Sequence, residues 1–344
     1  MKAAVLKELG KPLEVAELSL PSLKEGQVLL SMHIAAVCHS QKLEVSGGRG
    51  PGRFLPHLIG HEGVGVVTDV GPQVKKVRAG DQVVVSWIRG TGLPGGPIQY
   101  GSPFGTVNAG PIATFCTTPI VAEQCVTPIR PSVDPDAAVL AGCAIPTGAG
   151  TVWNAMPPKA DGAVCILGLG GVGLTAICAA AASGWGTVAG ADLKPLRLER
   201  ARQLGATHTI DAGKENLEEA AKKITGGSGF DLVLECAGAS ASMEAAIKIA
   251  RTGGGKVVIV GNLAAGKTIQ IDPFDLIKGR WLSGSWGGWI DPDKDIPRIV
   301  RLSLEGKFNH KLLAGKPFDL DQVNEAIRSL DEENPGRPII RFGS

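Results

Sequence analysis

The segment Gly168-Leu-Gly-Gly-Val-Gly173 has the spacing of a loop that can cradle a pyrophosphate. It follows an apolar run, Ala163–Leu167, that reads as a strand, and it opens a run, Val172–Ser183, that reads as a helix. In that setting Gly168 permits the tight turn and Gly170 lets a phosphate approach the main chain. The free N–H groups of Gly171, Val172 and Gly173 at the helix start offer hydrogen bonds and a partial positive charge. An acidic residue is expected about 20 residues on, at the end of the next strand, and Asp192 follows the apolar run Thr187–Ala191. Its carboxylate can accept from the hydroxyls of an adenosine ribose and would repel a 2′-phosphate, which favours NAD over NADP. Lys194 and Arg197 nearby pull the other way. A glycine turn used only for packing would not need the strand, the spacing and the acid together.

A second set of reactive residues lies earlier. Cys38-His39-Ser40 follows an apolar run, Gly60-His61-Glu62 follows Pro56-His57-Leu58-Ile59, and Cys143 lies within Leu140–Thr147. Two thiolates and one imidazole make a known catalytic zinc set with an open fourth position. An open zinc polarises a carbonyl and acidifies an alcohol, the requirement of hydride transfer. No C-x-x-C pair is present among these residues, and a cysteine taken alone has the ordinary reading of a small buried apolar side chain.

The elements that must hold these residues divide into two grammars. Before about residue 135 the chain reads as β: Val5–Leu6, Leu13–Val15, Gln27–Val37, Val64–Val70 and Gln82–Val85 are apolar or alternating runs separated by Gly and Pro turns. This predicts a β-barrel-like domain, with residues 89–112 as a long irregular Gly/Pro loop. From about 160, strands and helices alternate. Strands are predicted at 163–167, 187–191, 208–210, 231–235, 256–260 and 281–283, with helices at 172–183, 196–204, 215–223 and 242–250. That is a doubly wound parallel sheet of α/β class. Two further helices, 297–304 and 322–330, precede a terminal strand, 338–342, that could return to the first domain.

Composition narrows the class. The 344 residues are 44% hydrophobic, enough for about two domains with sizeable cores. The net charge of +2 is spread along the chain, with no basic face for nucleic acid and no acidic tail. Seven cysteines, an odd number, argue against a disulfide framework, and the charged N-terminus lacks an apolar signal core, so a cytoplasmic setting is expected. Residues Ala163–Ala191 carry no charge, but their glycines favour a strand, turn and helix over a membrane span.

Gly60-His61-Glu62-x-x-Gly65-x5-Gly71-x-x-Val74 fits the zinc signature of a known family at every fixed position. Through it and the glycine loop, the chain resembles, over almost its whole length, the zinc-dependent alcohol dehydrogenases of the medium-chain dehydrogenase/reductase family. The resemblance implies a GroES-like catalytic domain formed by 1–145 and 286–344 and a Rossmann NAD-binding domain over 146–285. It implies Cys38, His61 and Cys143 as ligands of one catalytic zinc, with Glu62 near the metal. Ser40 becomes the proton-relay hydroxyl and His39 a basic residue on the pyrophosphate. Thr147 stands beside the nicotinamide, Val260-Gly261-Asn262 and Trp286 bracket its carboxamide, and Arg337 pairs with the pyrophosphate. A homodimer or homotetramer acting on a small alcohol or carbonyl compound, away from nucleic acid and membrane, is the family expectation.

The chain also departs from that pattern. Residues 89–112 carry none of the four cysteines of the family's structural-zinc lobe, so no second zinc is expected; Cys116 and Cys125 read as core. Gln41 stands where an aspartate usually orients the zinc-ligand histidine, and Leu43 where a histidine often ends the proton relay. His39 and His57 are the candidates to replace it, His57 reading more readily as structural. Two rivals stay open: a zinc-free quinone or alkene reductase of the same superfamily, and a cofactor- and metal-binding protein without turnover.

Overall fold

The apolar runs of the first third of the chain need cover, several of them on both faces, and a sheet closed on itself supplies it. In the computed structural model, which describes residues 1–332 and 336–343, they form two sheets. One runs in the order Glu14–Glu17, Lys2–Leu6, His57–Leu58, Gly105–Ala109, Ile98–Ser102. The other runs Val126–Ile129, Gln82–Ser86, Glu62–Val70, Gln27–Ala36, Arg337–Arg341, Ala314–Asp319, with Ile120–Ala122 also paired to Gln27–Ala36. The terminal strand therefore does return to the N-terminal sheet, with Ile339 opposite Ala36 and Arg341 opposite Ile34.

The third sheet is six-stranded and parallel, in the order His208–Asp211, Thr187–Asp192, Ala163–Leu167, Leu232–Glu235, Lys256–Ile259, Trp281–Gly284. This is the strand order of a dinucleotide-binding sheet, and it reverses direction between Ala163–Leu167 and Leu232–Glu235. Both of these central strands are nearly fully buried, as helix-covered parallel strands must be. The uncharged stretch 163–191 resolves into strand, glycine turn, helix Gly171–Ser183 and strand. Among the described residues no helix is long and apolar enough to cross a membrane.

Several elements differ from the sequence expectation. Helix Ala144–Ala155 was not expected, because its sequence AIPTGAGTVWNA carries Pro and two Gly and has no apolar stripe. It is buried over almost its whole length, and packing rather than propensity holds it. Within the expected loop 89–112, Ile98–Ser102 and Gly105–Ala109 pair as an antiparallel hairpin that buries Ile98, Tyr100 and Val107. Gly101, Pro103 and Gly105 interrupt the alternation that would have revealed it. The helix expected from 297 begins at Pro292, where Asp291 caps it by accepting from the Asp293 N–H.

One continuous core joins the two halves. Ile34, Val64 and Val84 of the barrel belong to the same apolar cluster as Val164 and Ile166 of the parallel sheet, bridged by Ile145 and Val152. Gly148 sets the spacing: a Cβ there would collide with Thr175 Oγ1 and the Val172 carbonyl on helix Gly171–Ser183. The helix that follows Cys143 is thus locked against the helix that follows the glycine loop.

Candidate functional site

Cys38, His61 and Cys143 come from three different elements. Cys38 leaves the strand Gln27–Ala36 and caps helix His39–Val45. His61 precedes strand Glu62–Val70 after Gly60, whose φ of 100° and close approach to Phe115 N (2.8 Å from a built Cβ) exclude a side chain. Cys143 sits between a 3₁₀ turn, Val139–Gly142, and helix Ala144–Ala155. One ligand atom from each of the three lies within 4.8 Å of the others. His61 Nε2 is buried and has no partner among the described residues. Two soft thiols, one imidazole and an unclaimed ring nitrogen fit a tetrahedral zinc with one position left for substrate.

The supporting contacts are equally specific. Glu62 is fully buried; its Oε1 accepts from Ala144 N at 2.8 Å and its Oε2 lies 2.8 Å from Arg337 Nε. Arg337, also buried, reaches Cys143 Sγ at 3.4 Å. The hydrogen bond to Cys143 draws the Cys38 thiol well below its ordinary value, against burial and with help from Arg337 and His61. The same bond and burial push the Cys143 thiol up. Burial pushes the Glu62 carboxyl up, with Arg337 and the Ala144 N–H opposing. Burial disfavours the Arg337 cation, yet Cys38, Glu62 and Cys143 together hold it charged. Ser86 Oγ donates to the Gly142 carbonyl at 2.6 Å and so fixes the turn before Cys143.

The glycine loop opens onto a cleft of about 830 Å³ whose walls include Cys38, His39, Ser40, Gly168, Gly170, Gly171, Val172, Asp192, Arg197, Gly261 and Arg337. That volume suits a dinucleotide. Gly168 has φ 87°, and a Cβ on Gly170 would meet nothing within 4 Å, so the main chain is open to a phosphate there. Asp192 accepts from Leu169 N (2.7 Å) and Lys194 N (3.0 Å) and lies 3.5 Å from Arg197 Nη1. Both nearby cations also donate to carbonyls: Lys194 Nζ to those of Asp331 and Glu332, and Arg197 Nη2 to that of Leu330. Among the described residues Ser40 Oγ and Thr147 Oγ1 are buried without partners, as is expected of hydroxyls that wait for a bound group.

Some expected residues sit differently. Arg337 faces Glu62 and Cys143 while its side chain passes Gly171, so the cation belongs to the Cys38–His61–Cys143 cluster as well as to the cleft wall. Trp286 is 76% exposed and stacks edge-on against Trp87 at 4.9 Å, and Trp87 in turn faces His61 at 6.5 Å. His57 Nε2 lies 3.0 Å from Glu44 Oε1, a structural pairing. Cys116 and Cys125 are buried, and burial pushes the Cys125 thiol up to about 11. Sequence reasoning passed over Glu235. Its Oε1 accepts from Ala237 N, Gly238 N and Ser242 Oγ, and so it shapes the cleft loop that starts at Cys236. Its only sequence signal is an acid ending an apolar strand.

Known proteins resemble this chain in sequence and fold. Residues 24–131 match the alcohol dehydrogenase GroES-like domain and residues 171–305 the zinc-binding dehydrogenase domain. S-(hydroxymethyl)glutathione dehydrogenase of Escherichia coli is 30% identical, over 99% of each chain. Alcohol dehydrogenase class-3 of Cereibacter sphaeroides is 30% identical, over 99% of this chain and 97% of its own. Among solved structures, benzyl alcohol dehydrogenase from Acinetobacter calcoaceticus superposes with a TM-score of 0.89 at 28% identity, covering 99% of both chains. An alcohol dehydrogenase zinc-binding domain protein from Burkholderia ambifaria superposes at 0.90 and 27%, covering 100% and 99%.

Proposed function

Because the chain belongs to the zinc-dependent alcohol dehydrogenases of the medium-chain dehydrogenase/reductase family, we propose that it oxidises an alcohol, or reduces the matching aldehyde or ketone, with one zinc per chain and NAD(H). The observation that carries the reading is the Cys38–His61–Cys143 cluster with its unclaimed His61 Nε2, joined through Cys38 to the wall of a dinucleotide-sized cleft.

When bound, zinc supplies Lewis acidity to the substrate oxygen and the nicotinamide accepts or supplies hydride. The chain's own residues do the rest. Ser40 Oγ takes the proton of the alcohol and passes its own toward the cleft; with Leu43 next on that wall, the proton ends at water or at His39. Thr147 Oγ1 and the main chain at Gly261 and Trp286 orient the nicotinamide. Gly170, Gly171, Val172 and Gly173 hold the pyrophosphate, joined by His39 and Arg337. Asp192 takes the ribose hydroxyls, and the engagement of Lys194 and Arg197 with carbonyls supports NAD over NADP. Glu62 and Arg337 neutralise one another beside the thiolates, so the cluster holds a dication without a surplus charge.

The Trp87–Trp286 pair next to His61 supports a substrate with a bulky apolar or aromatic group, as in the benzyl alcohol dehydrogenase it superposes on. The edge strand Trp281–Gly284, with Trp281 66% exposed, supports a homodimer or homotetramer. Seven unpaired cysteines support a cytoplasmic setting.

Elemental mass spectrometry of the purified chain, followed by NADH formation with benzyl alcohol and NAD, tests the reading. One zinc per chain, lost together with activity on chelation, is the expected result. No zinc even after loading would transfer the site to the zinc-free quinone or alkene reductases.

A further inference from the structure

Gln41 is 1% exposed on the first turn of helix His39–Val45 and stands between two groups of the metal cluster. Its Oε1 accepts from Cys38 N at 2.6 Å, and its Nε2 lies 2.6 Å from His61 Nδ1. A primary amide has one acceptor end and one donor end. With the oxygen spent on the Cys38 N–H, the end facing Nδ1 is a donor. A donor there favours the imidazole tautomer with its lone pair on Nδ1 and its proton on Nε2.

Nε2 is the ring nitrogen left free for a metal. A metal on Nε2 needs the lone pair there and the proton on Nδ1, and an Nδ1–H needs an acceptor. The hydrogen-bond polarity that Gln41 sets in the metal-free site is therefore opposite to the one metal binding demands. Binding must turn the amide so that Oε1 meets Nδ1–H, and the NH₂ group then faces the Cys38 N–H. That half-buried donor loses its partner, a cost incurred only in the bound state.

Resting on the reading of Cys38, His61 and Cys143 as metal ligands, we propose that Gln41 is a positioning residue that weakens the metal site. Zinc uptake is coupled to a turn of the Gln41 amide and a move of the His61 proton from Nε2 to Nδ1, and the site is more exchangeable than one flanked by two acceptors. A carboxylate at the same place would accept from both neighbours at once.

The proposal makes opposite demands on two variants. Zinc dissociation constants are measured by chelator competition on the full chain, with nitrogen-15 spectra giving the His61 tautomer before and after zinc addition. Gln41→Glu is expected to bind zinc 10- to 100-fold more tightly, the range that partners of ligand histidines command. Gln41→Met, which removes the opposing donor and the acceptor together, is expected to bind no more weakly than the parent chain. The metal-free parent should carry its His61 proton on Nε2. A 10-fold or greater weakening in Gln41→Met, or a proton already on Nδ1 in the metal-free parent, would show the amide to be an ordinary support and overturn the proposal. Zinc that binds all three proteins equally overturns this inference and leaves the metal site standing. Absence of binding by all three removes the ligand assignment itself.

Discussion

Glu62 and Arg337 form a fully buried ion pair, Oε2 to Nε at 2.8 Å, between a zinc-signature carboxylate and the first residue of the terminal strand. The pair ties the C-terminal segment to the metal cluster. Truncating one partner of such a pair leaves an uncompensated buried charge and costs about 3–5 kcal/mol. Arg337→Met should therefore lower the unfolding free energy by about that amount in a urea titration, and should weaken NADH binding as well, since Arg337 also walls the cleft. A loss below about 1 kcal/mol, the size of an exposed pair, would mean that Glu62 becomes neutral when Arg337 is removed.

Glu123 holds the segment where the family's structural-zinc cysteines are missing. Its Oε1 accepts from Lys75 N and Lys76 N and its Oε2 from Leu93 N, at 2.6–2.8 Å. On the other side Asp293 accepts from the Thr91 N–H and hydroxyl and pairs with Lys76. Burial favours the neutral acid, but these main-chain donors and Lys76 hold the Glu123 carboxyl below its usual range. A carboxyl depressed in the folded state stabilises fully above its unfolded value, about 4.3, and loses that contribution as pH falls through the folded value. Unfolding free energy should thus decline on acidification below about pH 4.3. Glu123→Gln should flatten that decline and cost about 1–3 kcal/mol at neutral pH. An unchanged slope would show that the segment is held some other way.

Glycines and apolar strands made most of this architecture legible in the sequence. The loop at Gly168–Gly173 and the buried parallel strands around it announce themselves because each requires a residue type that little else requires. The metal cluster is different. Cys38, His61 and Cys143 are far apart in the chain, and only the Gly60–Val74 signature joined them. Helix Ala144–Ala155 escaped because total burial erases the stripe that periodicity reads. The donor–acceptor polarity at Gln41 was out of reach, because it depends on which end of one amide meets the Cys38 N–H.

Asp192 and Arg197 lie 3.5 Å apart in the wall of the cleft. Asp192→Asn keeps an acceptor for the Leu169 N–H and removes the charge that would repel a 2′-phosphate. Arg197, released from its ion pair, could then meet that phosphate. The ratio of kcat/KM for NAD over NADP should fall about tenfold or more, equivalent to ~1.4 kcal/mol. If the ratio holds, discrimination lies in the shape of the cleft rather than in this carboxylate.

Trp286 presents most of its ring to solvent, with one edge on Trp87 and Trp87 edge-on to His61. An exposed tryptophan of this size beside a metal cluster is costly to leave uncovered, and a substrate ring would cover it. Trp286→Ala should then lower kcat/KM for benzyl alcohol by about 1–3 kcal/mol in transition-state terms, the scale of a lost aromatic wall. Turnover of ethanol, which does not reach that wall, should change little. An equal loss on both alcohols would place Trp286 against the nicotinamide instead, since a displaced cofactor slows every substrate alike.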